Sequence, residues 1–151
     1  MTTTGTGDNE KTNTIVGTDV FGNALTEVIT STGSAESVSG SKYFLTVTSV
    51  TSSAQFAANL KVGSTALAAE AVHGGRVRLK GYSLVSGGTA GVIEFIDGTP
   101  ESGTVLFKAK TIGTDNSTLD NTVPAEGVIF KDGLSIKSVS YTHLTLPTKV
   151  T

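Results

Sequence analysis

Few side chains in this sequence have the type and spacing to do chemistry. His73 is the one histidine ahead of residue 139. Gly74-Gly75 follow it, so it reads as an exposed loop residue rather than a general base. Hydrolysis of a glycan would need two carboxylates on a shared face, and Glu94 with Glu126 is the only plausible pair. The oxygen-rich run Asp115-Asn116-Ser117-Thr118-Leu119-Asp120-Asn121 could hold Ca²⁺ as a loop. It lacks the fixed glycine and the closing glutamate of an EF-hand, and a plain polar loop is the expectation. Gly81, Gly87, Gly88 and Gly91 form neither GxGxxG nor GxxxxGK and precede no helix, so they read as turn residues rather than a phosphate cradle. Arg76, Arg78 and Lys80 make a basic row along one strand face. That row reads as a solvated face or as a contact for an acidic protein surface. Asp97 and Asp132 each start an Asp-Gly turn, where the carboxylate bonds local backbone. No catalytic, cofactor-binding or metal-ligating residue is therefore expected, and no cofactor.

The elements that would carry these residues are strands. Val77 and Leu79 alternate with Arg76, Arg78 and Lys80, and the phase flips at Gly81 so that Tyr82 and Leu84 become the apolar set. A glycine at a phase flip predicts a β-bulge. Ser86–Gly91 then reverses the chain. Residues 92–96 put Ile93 and Phe95 on one face and Val92, Glu94 and Ile96 on the other. Residues 104–110 set Val105, Phe107 and Ala109 against Thr104, Leu106 and Lys108. Together the three predict an antiparallel meander. Upstream, Gly17–Asn23 reads as a tight loop between strands, residues 24–30 as a strand with Glu27 at a rim, and residues 42–51 as the best strand of that half. Downstream, Thr111–Asn121 reads as a loop, Val128–Phe130 as a strand, Asp132-Gly133 as a hairpin turn and residues 134–138 as a last strand. Residues 66–72, ALAAEAV, have helix propensity but span only about two turns, and read as a joint.

Composition agrees. Of 151 residues, 37% are hydrophobic and 16% charged, with 18 glycines; threonine and glycine fill the deficit, which favours many short strands. A formal net charge of −2 gives no footprint for nucleic acid. The absence of cysteine excludes disulfides and thiolate metal sites. No apolar run approaches the length of a membrane span, and the first residues, MTTTGTGDNEKTNT, lack the basic-then-apolar order of a secretion signal.

Two stretches carry a resemblance. Gly17-Thr18-Asp19, Gly22-Asn23, Thr26-Glu27 and Ile29-Thr30, followed by Lys42-Tyr43-Phe44, Thr46–Thr51 and Val62-Gly63, resemble a repeat in virion proteins of tailed bacteriophages. Arg78–Gly81, Gly87–Gly91, Asp97-Gly98 and Pro124–Phe130 are similar to a small β-sandwich protein of marine phages. The resemblance implies a structural component of the particle, whether head decoration, head fibre or tail. It implies a virion location, other virion proteins as partners and no functional residues, because the shared positions are fold residues. Residues 139–148, VSYTHLTLPT, resemble instead the in-frame translation of a transposase adapter used in sequencing libraries. Tyr141 and His143 therefore carry no functional weight, and the natural end is expected beyond about residue 138.

The reading is an all-β chain, an antiparallel β-sandwich or jelly-roll-like arrangement, in one module or in two small packed β-modules. Residues 1–14 form a disordered leader, 15–65 an N-terminal module, 66–75 a linker, 76–138 a C-terminal sandwich and 139–151 an artefactual tail. A half of about fifty residues without disulfides has a marginal core, so it is expected to pack against the C-terminal half or against copies of itself, with a homo-oligomer as the expected state. The expected function is non-enzymatic, through protein–protein contacts, with neither nucleic acid nor membrane as partner. The alternative is a carbohydrate- or receptor-binding attachment module, which would need an exposed aromatic shelf; the chain has no tryptophan.

Overall fold

The computed structural model describes residues 1–3, 8–32, 37–64, 68–113 and 115–139. They form strands and turns with no helix, and every strand pairing is antiparallel. The chain divides into two units, Met1–Thr65 and Ala66–Thr151.

In the first unit, β1 (Thr2–Thr3) pairs with β5 (Leu60–Lys61). β2 (Asn9–Thr18) lies between β3 (Ala24–Thr32) and β4 (Thr46–Ser52) in a three-stranded sheet. Residues 9–14 thus belong to a central strand rather than to a disordered leader, because pairing on both sides of β2 satisfies a backbone that its Thr/Asn side chains could not bury alone. Two bulges shape this sheet, one between Asn9 and Thr12 of β2 and one where Thr48 is the extra residue of β4 opposite Val16 and Gly17. Gly17 is obligatory here: a Cβ would lie 1.9 Å from the Thr46 carbonyl oxygen. The core of this unit is Ile15, Val20 and Ile29, with buried Asp8, Asn13, Asp19 and Ser31 among them. Asp8 binds the Lys11 ammonium at 2.7 Å and accepts the Ala57 amide at 2.7 Å and the Ala58 amide at 3.3 Å. Lys11 also donates to the Gln55 carbonyl and lies 5.1 Å from the centre of the Phe56 ring. A buried carboxylate thus ties the start of β2 to the chain after β4. Glu27, expected at a rim, lies on the edge strand β3 and accepts the Ser41 amide at 2.6 Å.

In the second unit, β6 (Ala69–Gly74) occupies most of the expected linker 66–75. Its alanines suit a helix, but they also fit the tight flank of a sheet, and pairing decides. β7 (Val77–Leu79) and β8 (Gly81–Gly87) follow with a break at Lys80, so in place of the bulge expected at Gly81 the chain divides there into two strands with different partners. Then come β9 (Gly91–Asp97), β10 (Thr104–Thr111), β11 (Asp115–Thr122), β12 (Val128–Phe130) and β13 (Gly133–Ser138). One layer is a four-stranded sheet ordered β10-β9-β13-β6. The other consists of two ribbons, β8 with β11 and β7 with β12, linked by the Val123 amide donating to the Lys80 carbonyl at 2.9 Å. The sheets stay open rather than closing into a barrel.

This topology corrects the expected meander. β8 pairs with β11, not with β9, so residues 88–90 carry the chain from one layer to the other. Asp132-Gly133 does the same between β12 and β13 and is no hairpin turn. Gly-rich turns look alike in sequence whether they close a hairpin or cross a core. A bulge at Leu106 also splits the expected face of β10: Val105 sits opposite Ile96, whereas Phe107 and Ala109 face the core with Phe95 and Ile93.

Between the layers, Val77, Leu79, Leu84 and Phe130 of the ribbons pack with Ile93, Phe95, Ala109, Leu134 and Ile136 of the sheet. The Phe95 and Phe107 rings stack at 4.2 Å, with Tyr82 5.0 Å from Phe95 and Phe130 6.4 Å from Phe107. Phe130 is fully buried. Phe130→Ala should therefore cost about 3–5 kcal/mol, read as a fall in the urea midpoint of the second unit followed by far-ultraviolet circular dichroism.

Candidate functional site

The structure disperses the residues that could have done chemistry. His73 lies exposed on the edge strand β6, opposite Leu134 in the ladder. The run 115–121 is strand β11 rather than a loop: Leu119 pairs with Leu84, Asp120 with Ser83, and the Asn121 side-chain amide donates to the Tyr82 hydroxyl at 3.0 Å. An extended strand spreads its oxygens over two faces and cannot wrap them around one cation. Among the described residues no group of three or more His, Cys, Asp or Glu side chains is placed to hold a metal.

Glu94 and Glu126 each have their own cation. Glu126 is exposed in the turn between β11 and β12 and pairs with Arg78 of β7. Glu94 sits on the outer face of the four-stranded sheet, 2.7 Å from the Lys108 ammonium on β10 and 3.3 Å from that of Lys137 on β13. The Lys108 hydrogen bond, with help from Lys137, holds the Glu94 carboxyl below its ordinary range against the opposing effect of burial. A general acid needs the reverse shift. This cross-strand row neutralises a buried carboxylate and zips three strands together. The basic row is also divided. Arg78 is paired with Glu126, and an open cavity of about 240 Å³ lies against Arg76, Val77, Arg78 and Ile129, small for a ligand pocket and without a nucleophile or base in its lining.

The aspartates that begin turns are structural. Asp97 accepts the Asp132 amide at 2.7 Å, so it locks the neighbouring turn rather than its own. Asp19 accepts the amides of Phe21 at 2.8 Å and Asn23 at 2.9 Å, and the Asn23 side chain at 3.0 Å. Burial acts to raise its carboxyl, but the bonds from the Asn23 side chain and from the amides of Asn23, Phe21 and Gly22 outweigh burial and hold it low. This is the physical content of the GTD and GN motifs that the sequence singles out.

What the structure does assemble is a surface. On the face of the first unit's sheet opposite its core, the register aligns Thr12, Thr14, Val16 and Thr18 of β2 with Thr30, Val28, Thr26 and Ala24 of β3. Thr51, Ser49 and Thr46 of β4 continue the rows. Every one of these positions is uncharged, Val28 is 58% exposed and Val16 38% exposed. Alternation alone could not find this face, because the Thr48 bulge sets which β4 residues join it. An aromatic shelf is missing from it.

Because Asp19 and Glu94 are depressed in the folded chain, their contribution to stability is complete above the ordinary carboxylate range and is lost as pH falls through the lower folded values. Glu94→Gln should destabilise the chain by about 1–3 kcal/mol at pH 7 and flatten the loss of stability below about pH 4.5, measured by urea unfolding across pH. An unchanged acid limb would show that Glu94 does not contribute. Set beside known families, curated proteins and solved structures, the chain matches none of them.

Proposed function

We propose that this chain is a non-enzymatic structural protein of a tailed phage particle, displayed on the head or on a fibre and held there by protein–protein contacts. The observation that carries the reading is the uncharged Thr/Val/Ser face of the first unit's sheet. A solvated sheet face ordinarily mixes charges of both signs, and a charge-poor face with exposed valines is suited to be covered by another protein. The turn and strand motifs that resemble those of virion proteins supply the particle as the setting. Asp8, Asp19, Glu94 and Asp97 serve strand pairing and turn closure, and the candidate metal run is a paired strand, which fits a chain whose buried acids hold shape.

The test is mass spectrometry of density-purified particles from the source of the sequence. Trypsin releases residues 81–108 as one peptide. The expected result is that this peptide is recovered from particles, at a copy number near that of the major capsid protein for a head role and at a few copies for a tail or fibre role. Recovery from the lysate but not from particles would overturn the proposal.

A further inference from the structure

We infer that β4 is a self-pairing edge, through which two copies of this chain join antiparallel about a twofold axis between Thr48 and Ser49. Sheet edges are normally blunted with charge, bulges or covering loops. On the first unit's sheet, β3 is blunted: Ser41 binds Glu27, and the Lys42 ammonium reaches the Thr26 carbonyl at 2.6 Å. On the second unit's four-stranded sheet, edge β10 carries Lys108 and Lys110, and edge β6 carries Glu70 and His73. Among the described residues β4 carries no charge and no covering side-chain contact of this kind, and its one blunting device is the bulge at Thr48. It ends its sheet, residues 46–51 are all exposed, and no charged residue occurs between Tyr43 and Leu60.

The occupant follows from the sequence of the strand itself. Thr46-Val47-Thr48-Ser49-Val50-Thr51 reads nearly the same in both directions. Antiparallel pairing of two copies therefore sets Val47 against Val50 of the other copy, Thr46 against Thr51 and Thr48 against Ser49. In an unbroken strand Val47 and Val50 would point to opposite faces. The bulge at Thr48 turns both to one face, opposite Gly17 and Ile15 respectively, so the dimer gathers valines on a single side of the joint. Val47 is 55% exposed and Val50 36% exposed in the single chain. The bulge also interrupts the ladder at its centre, so the backbone bonds form on the flanks and the dimer is weak. A charge-free strand meets its own copy without like-charge repulsion. The joint would extend the sheet to β3-β2-β4-β4-β2-β3, with the uncharged face continuous across it. This deepens the assembly reading and rests on it for its biological setting. The dimer itself is measured without particles, so the two can fail separately.

The experiment is sedimentation equilibrium of the full chain from micromolar to sub-millimolar concentration, with circular dichroism to confirm folding of every variant. The expected result is a concentration-dependent dimer. Val47→Lys and Val50→Glu should each weaken it about tenfold or more, since each sets a charge against valine at a paired position. The two single variants mixed should form a heterodimer, because Lys at 47 then faces Glu at 50, and the double variant should recover self-association. A monomer at every concentration would overturn the inference. So would a dimer that survives Val47→Lys, or single variants that weaken association without rescue by their complement, since another surface or another register would then be responsible.

Discussion

The second unit depends on one placement: its last strand, β13, must enter the middle of a sheet whose other strands come earlier in the chain. Residues 134–138 pair with β9 on one side, and residues 133–137 pair with β6, about sixty residues upstream, on the other. Leu134, Ser135 and Ile136 are each almost completely buried. Until β13 is in place, β6 has no partner in the four-stranded sheet and one edge of β9 is unpaired. The closure entropy of so long a loop is recovered only when the whole layer forms. The turns on either side are locked to each other, through the Asp132 amide on Asp97 and the Gly98 amide on the Gly133 carbonyl at 2.8 Å. The Ser135 hydroxyl donates to the Gly98 carbonyl at 2.6 Å from the outer face. Strand insertion and turn locking are thus one event.

Buried carboxylates serve the same end in both units. Asp8 joins the start of β2 to residues 57 and 58, Asp19 closes the turn before β3, and Glu94 bridges three strands. Each is surrounded by donors, which is the condition under which a buried acid stabilises rather than costs. The lone pairs of a residue used in this way are already committed to structure, and for Asp19 and Glu94 the same donors outweigh burial and hold the carboxyl low. Acidic residues in an all-β chain of low charge content are therefore poor markers of an active site unless something leaves them underpaired.

Much of the fold was legible from the sequence. The alternation in residues 92–96 and 134–138, the phase flip near Gly81 and the GTD–GN turn all reflect local constraints, namely side-chain period and φ tolerance, that a strand or turn must satisfy wherever it sits. What was not legible was non-local. β6 is hidden because alanines favour a helix in isolation, and β11 because Asp, Asn and Ser favour turns. Both become strands only because a partner edge is waiting. The difference between a hairpin and a layer crossing at Ser86–Gly91 is likewise set by which strand lies opposite, not by the glycines. The candidate surface is not legible from alternation, because its continuity over three strands depends on register and on the Thr48 bulge.

The two units handle the same shortage of apolar residues differently. The second has two layers and closes nine buried hydrophobic residues into one cluster with stacked rings. The first has a three-stranded sheet and a two-residue ribbon, and among its described residues the buried hydrophobic ones are Ile15, Val20 and Ile29, while Val16, Val28, Leu45, Val47, Val50 and Val62 are exposed. Three strands with one half-covered face sit near the lower limit of independent stability. The buried polar network around Asp8 and Asn13 compensates in part, since it fixes geometry, but it adds little hydrophobic free energy. Removing more apolar surface from water is the direct way to stabilise such a sheet, and every route to it runs through its exposed face or its open edge. The part of the chain with the weakest core is therefore the part with the strongest physical reason to bind something.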